Sequence, residues 1–282
     1  MSLRLGFRLV NVFTRGRGTF TGNPLCVFED GRGLSDAQMQ SLALQFNLSE
    51  TSFVLPSGRA DARVRIFTPG YEMPFAGHPT LGTAHVVRSL RGLGDAVTLE
   101  LNIGPVAVRA EGDLWELTAR APTSRPPRAA RTEVAAAFGL DDCEIGDAPL
   151  WVDAGSEQLV VPLASADAVR RARIGYEALA RITEDGPRPQ AYLFGPEADG
   201  ELAARFFFTK AGSVLEDPAT GSATANLGGW YLARRTTLPL ERSISQGAET
   251  GRPSALRLRV DREGTVFVAG EVLELGRGHV EL

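Results

Sequence analysis

The sequence predicts an α+β protein of two pseudo-symmetric domains. Each is expected to be a curved, mostly antiparallel sheet wrapped around a central helix, with an interdomain cleft. Three observations carry that expectation. Short strand patterns dominate the 282 residues, and strong helix patterns are few. Two helix patterns each open on a glycine after an acidic loop: Glu72-Met73-Pro74-Phe75-Ala76-Gly77-His78-Pro79-Thr80 and Glu216-Asp217-Pro218-Ala219-Thr220-Gly221-Ser222-Ala223. An aromatic strand precedes each loop, Arg65-Ile66-Phe67-Thr68 in one case and Arg205-Phe206-Phe207-Phe208-Thr209 in the other. Recurrence of the order strand, acidic loop, glycine, small-residue helix is what a duplicated domain leaves behind. The third observation is the proline-rich stretch Ala121-Pro122-Thr123-Ser124-Arg125-Pro126-Pro127-Arg128, a linker pattern near the middle of the chain. It sets the expected halves at 1–120 and 121–282, with the last strand free to return to the first half.

Taken in order, residues 3–13 alternate apolar and polar and predict the first strand. Further strands are expected at 25–28, 51–55, 63–68, 97–103 and 106–110, with turn residues between them. Past the midpoint the same pattern places strands at 159–162, 191–194, 205–209, 256–260, 266–269 and 272–275. The helix at 35–46 is the best formed: Ser35 and Gln38 have capping-box spacing, and Met39, Leu42, Ala43 and Phe46 share one apolar face. Shorter helices are expected at 132–138, 166–172 and 176–182. The glycine-led helices, about 79–90 and 222–233, are apolar or small all round, which predicts burial. Pro79 suits a first helical position. A sheet curling around each such helix would shield it on every side.

Composition narrows the function classes. Hydrophobic residues make up 43% and charged residues 23%, as in a globular protein. The net charge of −4, from 30 basic and 34 acidic residues, supplies no field to hold nucleic acid or anionic lipid. No apolar run approaches the roughly 20 residues that cross a bilayer, and the N-terminus carries no secretory pattern, so neither nucleic acid nor membrane is an expected partner. Cys26 and Cys143 are the two cysteines, expected to be reduced, buried thiols of a cytoplasmic protein rather than a disulfide. His78, His85 and His279 do not cluster with each other or with cysteine, so no metal site is expected. Neither a phosphate-binding loop nor a nucleophile elbow is present. Gly16-Arg17-Gly18 with Gly22 imitates a dinucleotide loop but precedes no helix pattern, and that reading is rejected.

Chemistry concentrates at the helix openings. A helix that begins Gly-Ser presents free backbone N–H groups and the positive end of its dipole to an anion. Glu50 follows Asn47-Leu48-Ser49 at the edge of an apolar strand, where partial desolvation would raise its proton affinity; a solvated loop glutamate is the commoner reading of that segment alone. His78 either meets a substrate oxygen or caps its own helix. Asp217 either contacts substrate or satisfies nearby backbone N–H groups in an X-Pro turn. Ser222 is either a cap or a carboxylate ligand. Glu72 and Glu216 read as structural or rim charges.

Together these segments resemble the phenazine-biosynthesis isomerase family (PhzF-like proteins). The resemblance rests on Asn11-Val12-Phe13-Thr14, Gly22-Asn23-Pro24-Leu25, Asn47-Leu48-Ser49-Glu50-Thr51, Phe67-Thr68-Pro69, the two helix openings, and Gln246-Gly247 with Gly251-Arg252-Pro253-Ser254. It spans nearly the whole chain in order. It implies a diaminopimelate epimerase-like fold and a metal-free isomerase with no cofactor, commonly a homodimer, acting on a small carboxylate-bearing substrate. By motif, Glu50 matches the proton-shuttling acid, and His78 and Asp217 match the residues that hold and polarise the substrate. Gly77, Gly221 and Ser222 match the anion-binding helix openings, and Ser49 flanks the acid. Related two-base racemases and epimerases place a thiol at each opening. Here the openings read Ala76-Gly77-His78 and Thr220-Gly221-Ser222, without cysteine, which disfavours that chemistry. A non-catalytic small-molecule-binding protein of the same fold is the remaining alternative.

Overall fold

The computed structural model describes residues 3–16, 18–210 and 212–282. Met1 and Ser2, and Arg17 of the rejected glycine loop, lie outside the described residues. Contacts divide the chain into two compact units: Met1–Thr118 with Ala269–Leu282, and Ala119–Val268.

In the first unit β1 (Arg4–Val12) pairs antiparallel with β2 (Asn23–Phe28). The helix α1 (Asp36–Phe46) then crosses over, so that β3 (Glu50–Leu55) lies parallel to β2. β4 (Ala62–Phe67) returns antiparallel to β3, and the two-residue β5 (Glu72–Met73) turns back on β4. After α2 (Gly77–Arg91), β6 (Ala96–Leu101) pairs parallel to β4; β7 (Gly104–Glu111) and β8 (Leu114–Thr118) continue as an antiparallel meander.

The capping box forms as the sequence predicts. Ser35 Oγ accepts from the Gln38 N–H, and Gln38 Oε1 accepts from the Ser35 N–H. One face of α1 packs Met39, Leu42 and Ala43 against Cys26, Phe28, Phe53 and Phe67. α2 packs against β1, β2, β3, β6 and β8. Strand side chains alternate between faces, so Cys26 serves the α1 core while Leu25 meets α2. Burial on both faces explains why residues 25–28 form an unbroken apolar run rather than an alternating one. At Gly82 a β-carbon would stand 2.7 Å from Leu25 Cδ2 and 2.8 Å from Val12 Cγ2. The missing side chain is what lets α2 approach so closely.

The second unit opens with β9 (Thr123–Arg125), α3 (Arg131–Ala137) and a 3-10 turn, Asp142–Glu144. β10 (Leu150–Asp153) pairs antiparallel with both β9 and β11 (Glu157–Pro162). α4 (Ala166–Arg171) and α5 (Tyr176–Ile182) lead to β12 (Gln190–Pro196), parallel to β11. β13 (Leu202–Lys210) returns antiparallel, and β14 (Ser213–Asp217) turns back on it. After α6 (Gly221–Ala233), β15 (Leu240–Gln246) pairs parallel to β13 and antiparallel to β16 (Ser254–Val260). From β10 onward this is the pairing order of β1 to β7. α6 packs against β10, β11 and β16. Gly228 and Gly229 are its close-approach points, where a β-carbon would lie 2.6 Å from Val266 and 2.6 Å from Val152. β17 (Val266–Glu281) runs from the second unit into the first, where its residues from Val272 onward pair antiparallel with β1.

Four sequence expectations need correction. The proline-rich stretch is not a bare linker: its residues Thr123–Arg125 form β9, whose pairing with β10 leaves the flanking prolines outside the ladder. The strands expected at 266–269 and 272–275 are one strand, because Gly270 makes room for the Phe13 ring, 2.2 Å from where a β-carbon would sit. Pro79 is the third helical residue rather than the first; a proline is tolerated there because the first-turn N–H groups have no intrahelical acceptor. Cys26 is buried as expected, which pushes its thiol pKa up, but Cys143 is exposed on the 3-10 turn. Strands β5, β8, β9, β10, β14 and β15 escaped the sequence reading: β5 and β9 have two and three residues, β8 and β10 are short, mostly apolar runs of five and four residues, and β14 and β15 carry few apolar positions. No helix among the described residues is long and apolar enough to cross a membrane.

Candidate active site

The first unit brings Ser49, Glu50, Gly77 and His78 to the adjoining starts of β3 and α2. Glu50 is the first residue of β3, opposite Leu25 of the parallel β2. Its side chain is only 16% exposed, so it is not a solvated loop glutamate. Glu50 Oε2 lies 3.4 Å from His78 Nε2. His78 is the second residue of α2 and does not cap it; Ala76 is the N-cap and offers no side-chain hydrogen bond. With Pro79 next, Gly77 and His78 supply the backbone N–H groups that open this helix. Burial pushes the imidazole pKa down to about 3, so His78 is neutral at physiological pH. A neutral imidazole has one N–H donor and one acceptor, and it lends the neighbouring carboxylate no counter-charge.

The second unit brings Asp217, Gly221 and Ser222 to the start of α6. Asp217 ends β14, and its Oδ2 accepts a 2.6 Å hydrogen bond from the Thr220 hydroxyl. The buried Gln246 holds this turn from β15. Its Oε1 accepts from the Thr220 N–H at 3.3 Å, while its Nε2 donates to the Asp217 carbonyl at 2.8 Å and to Thr220 Oγ1 at 3.0 Å. The backbone N–H can only donate, so it fixes which end of the Gln246 amide faces it. Thr220 Oγ1 then accepts from Gln246 and must donate to Asp217. That bond suits an ionised carboxylate. Thr220 is the N-cap residue, yet its hydroxyl serves Asp217 rather than the helix. Gly247 (φ +82°) lets the chain turn beneath this cluster: a β-carbon there would lie 2.4 Å from the Pro218 and Arg252 carbonyl oxygens. Ser222 is the second helical residue, and its Oγ accepts from Gln158 Nε2 at 3.0 Å.

The two acids read as structural are structural. Arg65 donates to both oxygens of Glu72, at 2.8 and 2.6 Å, with its guanidinium over the Phe67 ring. Arg205 donates to both oxygens of Glu216, at 3.0 and 2.6 Å, with its guanidinium over Phe207. These bidentate pairs tie β5 to β4 and β14 to β13 ahead of each helix. Sequence reasoning overlooked Gln158, Thr220, Asn226 and Gln246 as site-building residues. Asn226 was the visible signal, an amide in an otherwise small and apolar helix. Among the described residues, no three His, Cys, Asp or Glu side chains gather as a metal-binding group. Neither cysteine stands at a helix opening.

The mixed α/β fold places a glycine at the start of each of these two helices. The chain belongs to the phenazine biosynthesis-like protein family (PhzC-PhzF), whose profile matches residues 10–275, and by that membership it is an isomerase. It is 38% identical to an uncharacterized isomerase of Pasteurella multocida, with 97% of this chain and 93% of that protein covered. It is 35% identical to the trans-2,3-dihydro-3-hydroxyanthranilate isomerase of Pseudomonas aeruginosa, with 92% of each covered. The crystal structure of a Bacillus anthracis phenazine biosynthesis protein of the PhzF family superposes with a TM-score of 0.86 at 25% identity, covering 99% of both chains. The fold is PhzF-like.

Proposed function

We propose that the chain moves a proton within a small, unsaturated or enolisable carboxylate-bearing substrate, using its own side chains and no cofactor. The observation that carries this reading is the buried Glu50–His78 pair, 3.4 Å apart, with His78 neutral. Glu50 takes a proton from one carbon of the substrate. The double bond shifts, and Glu50 returns the proton to another carbon on the same face. No electrons are gained or lost. His78 donates a hydrogen bond that stabilises the charge developing on the substrate and does not itself ionise. Asp217, whose carboxylate accepts from the Thr220 hydroxyl that Gln246 orients, positions the substrate through a polar group. The N–H groups at Gly77 and Gly221–Ser222 receive the carboxylate, and Ser49 flanks the acid.

In this reading the two units are related by duplication, each sheet shielding its own central helix. The shared pairing order, the matched Arg–Glu–Phe clusters and the glycine-led helices support it. A homodimer is the expected assembly, as in the family.

The test is a screen of cyclic and acyclic unsaturated acids and amino acids in deuterated water, trans-2,3-dihydro-3-hydroxyanthranilate among them, followed by absorbance and proton NMR. A shifted double bond, with no loss of stereochemical purity at an unreacted α-carbon, is the expected result. Racemisation of an amino acid would favour the epimerase alternative. Binding without turnover of any compound would favour a non-catalytic binding protein.

A further inference from the structure

We infer that Gln158 and Asn226 are positioning residues that fix the Ser222 hydroxyl as a hydrogen-bond donor toward the substrate carboxylate. The inference rests on the proposed role of Ser222, and its starting point lies away from the helix opening, at the backbone N–H of Ala154.

That N–H donates to Asn226 Oδ1 at 2.8 Å. A backbone N–H has no acceptor face, so the carboxamide of Asn226 can take only one orientation; turned over, its NH2 would meet the N–H head-on. Asn226 Nδ2 is therefore directed at the Ser156 carbonyl, 2.8 Å away, and at Gln158 Oε1, 2.9 Å away. With its oxygen engaged, Gln158 presents Nε2 to Ser222 Oγ at 3.0 Å. Ser222 must accept this bond. Its own proton is excluded from that direction, and among the described residues no other hydrogen bond of Ser222 Oγ is present.

Burial makes the chain rigid. Asn226 is fully buried and Gln158 is 2% exposed, so neither amide can exchange its partners for water without leaving polar groups unpaired. An asparagine within α6 would otherwise be a poor choice, lowering helix propensity and costing desolvation. Its placement one turn after Ser222 is explained if its task is to hand hydrogen-bond polarity from Ala154, just past β10, to the helix opening. Ser222 and Thr220 are then complementary. The proton of Thr220 is committed to Asp217, whereas the proton of Ser222 is left for an incoming acceptor, as a carboxylate requires.

Neutron diffraction from deuterated crystals tests the polarity directly and needs no substrate. The expected map places a Gln158 amide deuteron on the line to Ser222 Oγ and the Ser222 deuteron elsewhere. A Ser222 deuteron pointing at Gln158 overturns the inference. Its consequence is tested on the screened acid that is turned over, with Gln158→Met, Ser222→Ala and the double variant. Each single change is expected to lower kcat/KM by roughly tenfold, and the double variant should be no worse than Ser222→Ala alone. Additive losses, or an unchanged Gln158→Met, overturn the positioning role. If Ser222→Ala itself matches the wild type, the carboxylate-binding role of Ser222 falls together with this inference, while Glu50→Gln still judges the proposed isomerisation separately.

Discussion

Glu50 Oε2 and His78 Nε2 lie 3.4 Å apart, and both atoms are shut away from solvent. The contact joins the first residue of β3 to the second residue of α2. A carboxylate beside an imidazolium would be a neutralised ion pair. A neutral imidazole supplies no such counter-charge.

That charge state has a consequence for acid stability. Burial lowers the His78 pKa from 6.5 to about 3. Below pH 6.5 the unfolded chain binds a proton that the native protein refuses until about pH 3. Stability is therefore complete above pH 6.5 and falls as pH drops from 6.5 toward 3, by about 1.4 kcal/mol per pH unit from this group. Urea unfolding of the wild type and of His78→Gln at pH 6.5, 5.5 and 4.5 should give a shallower pH slope for the variant. Equal slopes would show that His78 is not held neutral by burial.

The Asp217 cluster yields a second expectation. Thr220→Val preserves shape but removes the hydroxyl that donates to Asp217 Oδ2. A hydrogen bond to a charged group contributes about 1.5–3 kcal/mol to stability, so the melting temperature should drop and turnover should fall roughly tenfold or more. Wild-type turnover in Thr220→Val would mean that Asp217 needs no such support.

Much of this arrangement was legible in the sequence. The glycine-led helices, the capping box of Ser35 and Gln38, and the placement of Glu50 beside a strong strand follow from local pattern. What escaped was non-local. β9 and β15 owe their form to partner strands, since β9 has three residues and Leu240 and Ile244 are the apolar positions of β15. The roles of Gln158, Asn226 and Gln246 exist only once β11, α6 and β15 lie side by side, because an amide's hydrogen-bond polarity is set by its neighbours. The distance from Glu50 to His78 likewise has no counterpart in the spacing of the two residues along the chain.

Close packing of α2 can be tested at Gly82. Alanine normally favours a helix over glycine by about 1 kcal/mol. Here the added methyl would press on Leu25 and Val12 at 2.7 and 2.8 Å. Overpacking of this kind costs about 1–3 kcal/mol, so Gly82→Ala should lower stability in chemical denaturation. A stabilised variant would show that α2 has room to shift away from β1 and β2.

The proposed chemistry uses only protein groups, so activity should survive exhaustive treatment with a chelator. Loss of activity that one particular metal ion restores would contradict it.

The central claim is that Glu50 carries the proton, and Glu50→Gln tests it most directly. The substitution keeps size and hydrogen-bonding capacity but removes the base. General acid–base catalysis is worth about 10²–10⁴-fold. Turnover measured in parallel for wild type and variant should therefore fall by that factor, with melting temperature and ligand binding retained. Near-wild-type turnover by Glu50→Gln would contradict the account.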